Sequence, residues 1–106
     1  MFKTVTASEV AESIAKGEKF RFIDVREPME FSIATVEGAE LLPMSRFSEW
    51  AGSLDPSEKI VVMCHHGVRS ANVCMFLVRN GFTDVSNLHG GIDAWSAEVD
   101  AGVGRY

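Results

Sequence analysis

The run of residues 59–63, Lys-Ile-Val-Val-Met, constrains the fold of this chain more than any other stretch. It is short, apolar and rich in β-branched side chains, which predicts a buried strand. Beyond a short loop, the pattern of residues 70–80 predicts a helix that Gly81 ends. A strand, a tight loop and a helix in this order place the loop at the carboxyl edge of a sheet, where open α/β sheets bind ligands.

The loop itself reads Cys-His-His-Gly-Val-Arg-Ser, from Cys64 to Ser70. Its backbone N–H groups and the positive end of the following helix can point at one spot, and such a turn binds anions. The same features favour a thiolate over a thiol, and the thiolate is the nucleophile. Arg69 adds a permanent positive charge, and Gly67 permits backbone angles closed to other residues. The loop therefore predicts a nucleophilic cysteine at position 64.

Strands and helices alternate along the rest of the chain. A capping box at residues 6–9 predicts the start of a helix that runs to about residue 16. Further strands are expected at 2–5, 20–25, 41–42 and 85–88, with a helical turn from 27 and helices at 45–51 and 92–97. This alternation predicts an α/β fold with a mostly parallel sheet, right-handed crossovers and helices on both faces. We expect one domain over residues 1–106, with a loosely held tail from about 98 to 106.

Composition narrows the classes of function. The net charge of −5 argues against a nucleic-acid-binding surface, and no apolar run is long enough to cross a membrane. The first residues lack the apolar core of a signal peptide, so the expected location is the cytoplasm, where thiols stay reduced. No pattern calls for a cofactor or a metal.

The two cysteines are expected to behave differently. On the helix over 70–80, Cys74 lies opposite the polar residues Asn72, Arg79 and Asn80, which predicts a buried, inert thiol. Cys64 lies at a strand end inside a loop that contains glycine and arginine, which predicts a reactive one. We do not expect a disulfide between them.

The Cys-x-x-Gly-x-Arg-Ser pattern resembles the active-site loop of the rhodanese family of sulfurtransferases. Three other segments, residues 24–31, 37–43 and 87–95, resemble further family signatures in the expected order, so the resemblance covers nearly the whole chain. One departure is Ala34-Thr35-Val36, where the family often has Gly-His-Ile. The resemblance implies a three-layer fold with a five-stranded sheet.

The resemblance also implies a function, the transfer of sulfane sulfur through a Cys64 persulfide. The thiolate takes the outer sulfur of thiosulfate or a similar donor and passes it to cyanide or a thiol, in a ping-pong reaction. Asp24 and Arg26 are implied to brace the cysteine loop from the neighbouring strand. The expected substrate-binding residues are the rest of the loop: His65, His66, Gly67, Val68, Arg69 and Ser70.

Structural roles compete with some of these assignments. Arg69 could instead form a salt bridge to Asp24 or Glu30. His65 and His66 are expected to contribute their backbone N–H groups while their side chains face solvent. A metal site formed by Cys64 and the two histidines is disfavoured, because three consecutive residues on a tight loop rarely reach one ion.

Two other functions remain open from the sequence. One is a phosphatase or arsenate reductase, since cysteine–arginine loops on related folds hold tetrahedral oxyanions. Only four residues separate Cys64 from Arg69, which suits a single sulfur atom better than a phosphate. The other is a persulfide-binding or regulatory module without turnover, against which the presence of the cysteine counts. The partners of the favoured function are a small sulfur donor and a thiol, cyanide or protein acceptor.

Overall fold

The computed structural model describes all residues from Met1 to Tyr106 and contains one five-stranded sheet. Every strand pairing is parallel, and the spatial order is β1-β5-β4-β2-β3. The expected α/β fold with a mostly parallel sheet is confirmed. The strands are β1 (Lys3–Val5), β2 (Arg21–Asp24), β3 (Glu40–Leu41), β4 (Lys59–Met63) and β5 (Asp84–Leu88).

Five α-helices connect and cover the strands. They are α1 (Ala7–Ala15), α2 (Pro28–Ile33), α3 (Phe47–Trp50), α4 (Val68–Arg79) and α5 (Gly91–Glu98). None of them combines the length and the apolar character that crossing a bilayer requires. The capping box is confirmed at α1, where the N–H of Glu9 donates to Thr6 Oγ1 at 3.1 Å and the N–H of Thr6 donates to Glu9 Oε1 at 2.8 Å.

The helix expected over 45–51 is divided in the structure. A 3₁₀ turn at Met44–Arg46 leads into α3, and a second one at Ala51–Ser53 follows it. Packing rather than helix propensity fixes this segment, because Trp50 is buried and its indole N–H donates to the carbonyl of Pro43 at 2.8 Å.

Two apolar clusters cover the two faces of the sheet. Alternate residues of β4 divide between them: Ile60 and Val62 join the cluster that includes residues of α3 and α4, and Val61 and Met63 join the one that includes residues of α1 and α5. Cys64 continues this alternation and belongs to the cluster on the α4 side. The strand therefore delivers the cysteine directly beneath the start of α4.

The tail expected to be loosely held makes specific contacts in the structure. A 3₁₀ turn at Ala101–Val103 packs Val103 against the cluster on the α5 side. Arg105 then donates to both carboxylate oxygens of Asp93, at 2.8 and 2.9 Å. The chain reaches its last residue, Tyr106, beside the cysteine loop. The ion pair of Arg105 and the ring of Tyr106 thus hold a segment that the sequence predicts to be loosely held.

Candidate active site

Cys64 lies directly after β4 and accepts a hydrogen bond from its own loop. The N–H of Gly67 donates to Cys64 Sγ at 3.0 Å. Gly67 has φ +107°, in the left-handed region that favours glycine, as expected for a residue that permits backbone angles closed to others. Only 1% of Cys64 is exposed, and it lines no cavity of the structure.

The N-terminus of α4 faces the same sulfur. This helix begins at Val68, two residues earlier than the pattern predicts, and Gly67 is its N-cap. The N–H groups of Val68, Arg69 and Ser70 have no backbone acceptor, as expected for the first turn of a helix. Unpaired N–H groups and the positive end of the helix dipole therefore favour negative charge at this position.

The N-terminus of α5 holds the cysteine loop from behind. The N–H of Ile92 donates to the carbonyl of Cys64 at 2.8 Å, and the N–H of Asp93 donates to that of His65 at 3.2 Å. Gly91 makes this approach possible, because a Cβ on Gly91 would lie 2.3 Å from the carbonyl oxygen of Cys64. The contact between the two turns thus depends on a residue without a side chain.

Asn87 holds the cysteine loop at Gly67 and at Ser70 and is absent from the predicted site. It lies near the end of β5, and its Nδ2 donates to the carbonyl of Gly67 at 3.1 Å. Ser70 Oγ lies 2.5 Å from Asn87 Oδ1 and 3.3 Å from Cys64 Sγ. Since a hydroxyl carries one hydrogen, Ser70 donates to one of these two atoms at a time. Asn87 therefore competes with the sulfur for the Ser70 hydrogen.

Arg69 forms an ion pair with Glu30, one of the two partners that the sequence leaves open. Nη1 and Nη2 donate to the two carboxylate oxygens at 2.6 and 2.8 Å. This pairing lowers the pKa of Glu30 from 4.5 to about 2, and the same pair raises the pKa of Arg69. The hydroxyl of Tyr106 also donates to Glu30, at 2.8 Å.

Asp24 and Arg26 form a fully buried pair whose bonds go elsewhere than the resemblance implies. Arg26 donates to both oxygens of Asp24, the shortest bond being 2.7 Å. Its other bonds run to the carbonyls of Ala34 at 2.6 Å and Glu30 at 3.2 Å, and to the hydroxyl of Tyr106 at 2.9 Å. None reaches the cysteine loop directly, because the guanidinium turns toward α2. The pair fixes α2 and acts on the loop only through Glu30 and Arg69.

The departure at residues 34–36 leaves this arrangement in place. Ala34 and Val36 are buried, and Thr35 is exposed. The bond that Arg26 makes to Ala34 is to a backbone carbonyl, so it does not depend on the side chain at that position.

His65 differs from the expectation that both histidine side chains face solvent. His66 is exposed, but the His65 ring is half-buried between the rings of His66 and Tyr106, with centroids 3.9 Å away on each side. Burial, and secondarily the neighbouring His66, lowers the pKa of His65. Its Nε2 is buried without a hydrogen-bond partner. The tyrosine that covers it is 41 positions away along the chain, so no local pattern could reveal the contact.

The polar atoms of His65, His66 and Asp93 lie within 4.8 Å of one another, as in some metal sites. The two rings are stacked, however, and lone pairs in the planes of stacked rings do not converge on one ion. Both oxygens of Asp93 also accept bonds from Arg105. The cluster is therefore not organised to bind a metal.

Comparison with known proteins matches nearly the whole chain. The family model of the rhodanese-like domain matches residues 6–98. The thiosulfate sulfurtransferase GlpE of Haemophilus influenzae is 34% identical over 94 residues, which are 89% of this chain and 88% of GlpE. A rhodanese-like domain protein from Staphylococcus aureus superposes with a TM-score of 0.84 at 30% identity, over 99% of each chain.

Some relatives are much longer. The probable adenylyltransferase/sulfurtransferase MoeZ of Mycobacterium tuberculosis is 34% identical over 105 residues, which are 97% of this chain. The chain spans only 27% of the length of MoeZ and 31% of a rhodanese-like/PpiC domain-containing protein of Arabidopsis thaliana.

Proposed function

This chain belongs to the rhodanese-like domain family, and from that premise we propose that it is a sulfurtransferase that carries sulfane sulfur as a persulfide on Cys64. One observation supports the proposal above all others. The sulfur of Cys64 lies at the N-terminus of a 12-residue helix and accepts the N–H of Gly67 at 3.0 Å. A cysteine in such a position is suited to nucleophilic attack as the thiolate.

In the first half of the reaction, the Cys64 thiolate attacks the outer sulfur of the donor. With thiosulfate, an S–S bond forms to Cys64, the S–S bond of thiosulfate breaks, and sulfite leaves with the bonding electron pair. The new terminal sulfur carries the negative charge. The N–H groups of Val68, Arg69 and Ser70, which have no backbone acceptor, are proposed to stabilise that charge, as preorganised donors do in other active sites.

In the second half, a thiophilic acceptor attacks the terminal sulfur. Cyanide takes it as thiocyanate, and a thiolate takes it as a new persulfide. The Cys64 thiolate is released in either case and is ready for another donor. Asp24 and Arg26 take no part in bond making and act as positioning residues for α2, which carries Glu30.

The geometry favours this function over phosphatase or arsenate reductase chemistry. Cys64 lines no cavity, and the turn closes so tightly that the N–H of Gly67 bonds to the sulfur itself. A single sulfur atom needs less room in such a turn than a tetrahedral oxyanion does. The proposed partners are accordingly a small sulfur donor and a thiol or a protein acceptor, and the proposed location is the cytoplasm.

The test is direct detection of the persulfide. Wild type and Cys64→Ser are incubated with thiosulfate and, separately, with cysteine persulfide, and the mass of the cysteine-containing peptide is measured before and after cyanide is added. We expect one extra sulfur atom on wild-type Cys64, its loss to thiocyanate, and neither in the variant. A stable persulfide that cyanide does not remove would indicate a binding module, and hydrolysis of a phosphate ester without any persulfide would indicate a phosphatase. Either result overturns the proposal.

A further inference from the structure

Every arginine around the cysteine loop is bonded to a carboxylate. Arg69 is paired with Glu30, Arg26 with Asp24, and Arg105 with Asp93. The site therefore contains guanidinium groups without excess positive charge, in a chain whose net charge is −5. The sequence predicts a cation at Arg69 for an anionic substrate, but the structure places the opposite charge directly against it.

The carboxylate of Glu30 is held from three sides. Arg69 binds both of its oxygens, the hydroxyl of Tyr106 donates to Oε2 at 2.8 Å, and the N–H of Glu27 donates to Oε1 at 3.1 Å. Only 18% of the Glu30 side chain is exposed. An ion pair with this geometry is not easily exchanged for a passing anion, because the carboxylate would lose several bonds at once.

Helix α2, which carries Glu30, is itself fixed to the buried core. Arg26 donates to the carbonyls of Glu30 and Ala34 from its place beside Asp24. Arg26 also donates to the hydroxyl of Tyr106, which therefore links the buried Asp24–Arg26 pair to the partly buried Glu30–Arg69 pair. The negative charge at Glu30 is thus a built feature of the site and does not depend on a freely moving side chain.

A fixed neutral pair affects sulfur donors differently according to their charge. Thiosulfate carries two negative charges, and its leaving group, sulfite, is also negatively charged. Cysteine persulfide has an ammonium and a carboxylate that cancel, so its sulfur carries at most one net negative charge. Resting on the proposed sulfurtransferase function, we propose that Glu30 is a specificity-determining residue that neutralises Arg69 and so makes the site prefer a persulfide of a thiol over thiosulfate.

The chemistry of the preferred reaction balances without a further reactant. The Cys64 thiolate attacks the terminal sulfur of the persulfide, an S–S bond forms to Cys64, and the S–S bond of the donor breaks. The donor leaves as a thiolate with the electron pair of the broken bond. No oxidant or reductant is consumed, because sulfane sulfur only changes its carrier.

Two variants test the proposal, with a third as a matched control. Glu30→Gln removes the charge but keeps an oxygen that can accept from Arg69 or from the N–H of Glu27. Tyr106→Phe removes the bond that Tyr106 donates to Glu30 and the one that it accepts from Arg26, while keeping the ring stacked on His65. Glu40→Gln neutralises a carboxylate that pairs with Arg21 at the amino end of β2 and makes no hydrogen bond to the cysteine loop.

We expect Glu30→Gln to raise kcat/KM for thiosulfate roughly tenfold, since one unit charge near a dianion is removed. We expect kcat/KM for cysteine persulfide to change by less than about twofold in the same variant, because the charge that meets Arg69 is smaller. Tyr106→Phe raises the ratio of kcat/KM for thiosulfate to kcat/KM for cysteine persulfide by a smaller factor. Glu40→Gln leaves this ratio unchanged.

Equal changes for the two donors, or a fall in the thiosulfate value with Glu30→Gln, would show that Glu30 is only structural and would overturn the inference. If Glu30→Gln does not fold, Tyr106→Phe decides by the same ratio. Failure of the sulfurtransferase function itself looks different, because Cys64 would then gain no sulfur from either donor in any variant.

Discussion

Cys64 and Cys74 are removed from solvent to the same degree, with exposures of 1% and 0%, but they lie in different surroundings. Both belong to the apolar cluster on the α4 side of the sheet. The sulfur of Cys64 is close to an N–H group and a hydroxyl at the start of α4. Cys74 lies inside the same helix, and burial raises the pKa of its thiol to about 12, with a smaller contribution from Cys64. Two equally buried thiols can therefore differ in the hydrogen-bond donors around them, and the proposed reactivity of Cys64 rests on that difference.

The largest expected difference between the two thiols is in turnover. Cys64→Ser is expected to reduce thiocyanate formation from thiosulfate and cyanide by at least about a thousandfold, because the proposed nucleophile is lost. Cys74→Ser is expected to keep kcat within about twofold of wild type, because that thiol contacts no substrate. Comparable losses in the two variants would mean that Cys74 takes part in the reaction, and the contrast would fail.

A second difference is in backbone support. Gly91 lies against the carbonyl of Cys64, and a methyl group there would sit 2.3 Å from that oxygen at a residue with φ +60°. We expect Gly91→Ala to lower the free energy of unfolding by about 3 kcal/mol. The matched control is Gly52→Ala, where nothing lies within 4 Å of the added Cβ and φ is not positive. Urea denaturation of both proteins measures the difference, and a Gly91→Ala protein as stable as the control would contradict the close approach.

The third difference is the set of hydrogen bonds between Asn87 and the cysteine loop, since no side chain binds the surroundings of Cys74 in this way. We expect Asn87→Ala to lower kcat/KM about tenfold, because the carbonyl of Gly67 loses its bond and the hydroxyl of Ser70 is no longer held in position by Asn87. If Asn87 acts partly through Ser70, the loss of kcat/KM that Asn87→Ala causes becomes smaller when Ser70 is also replaced by alanine. A double-mutant cycle on thiocyanate formation measures this coupling, and strictly additive losses would show that the two residues act independently.

The smallest expected effect is on stability at Cys74. Replacing this thiol by serine places a hydroxyl in the apolar part of α4, which is expected to cost about 1 kcal/mol of unfolding free energy. Cys74→Ala separates the loss of packing from the cost of the hydroxyl. Thermal and urea unfolding give the comparison, and a Cys74→Ser protein with the stability of wild type would show that the surroundings of Cys74 are less apolar than the structure indicates.

Local patterns predicted much of this fold because they act over a few residues. The apolar run at 59–63, the capping box at Thr6 and the glycine at position 67 each specify the conformation of their own segment, and the structure agrees with all three. The alternation of such segments leads to a parallel α/β sheet because parallel strands require crossovers. No local pattern predicts the contacts of the tail from about residue 98, because they are made with distant parts of the chain.

The residues that the sequence did not reveal are joined by contacts between distant segments. Asn87 and Ser70 are 17 residues apart, and Tyr106 bonds to Arg26 across 80 residues. Asn87 begins the segment 87–95 that resembles a family signature, but that pattern does not mark its side chain as part of the site, and Tyr106 stands in no pattern at all. Their importance is visible only once β5 lies beside β4 and the tail crosses the cysteine loop.

The sequence by itself determined where the cysteine lies, at the carboxyl end of a central strand and before a helix, because strand and helix patterns are local. Only the tertiary structure decided which charged groups pair with one another around Cys64. In the sequence Arg69 has two possible carboxylate partners, Asp24 and Glu30, and only the folded chain shows that Glu30, 39 residues away, accepts from both of its terminal nitrogens. Coulomb and hydrogen-bond energies depend on distance in space and on burial, and neither is fixed until the whole chain has folded.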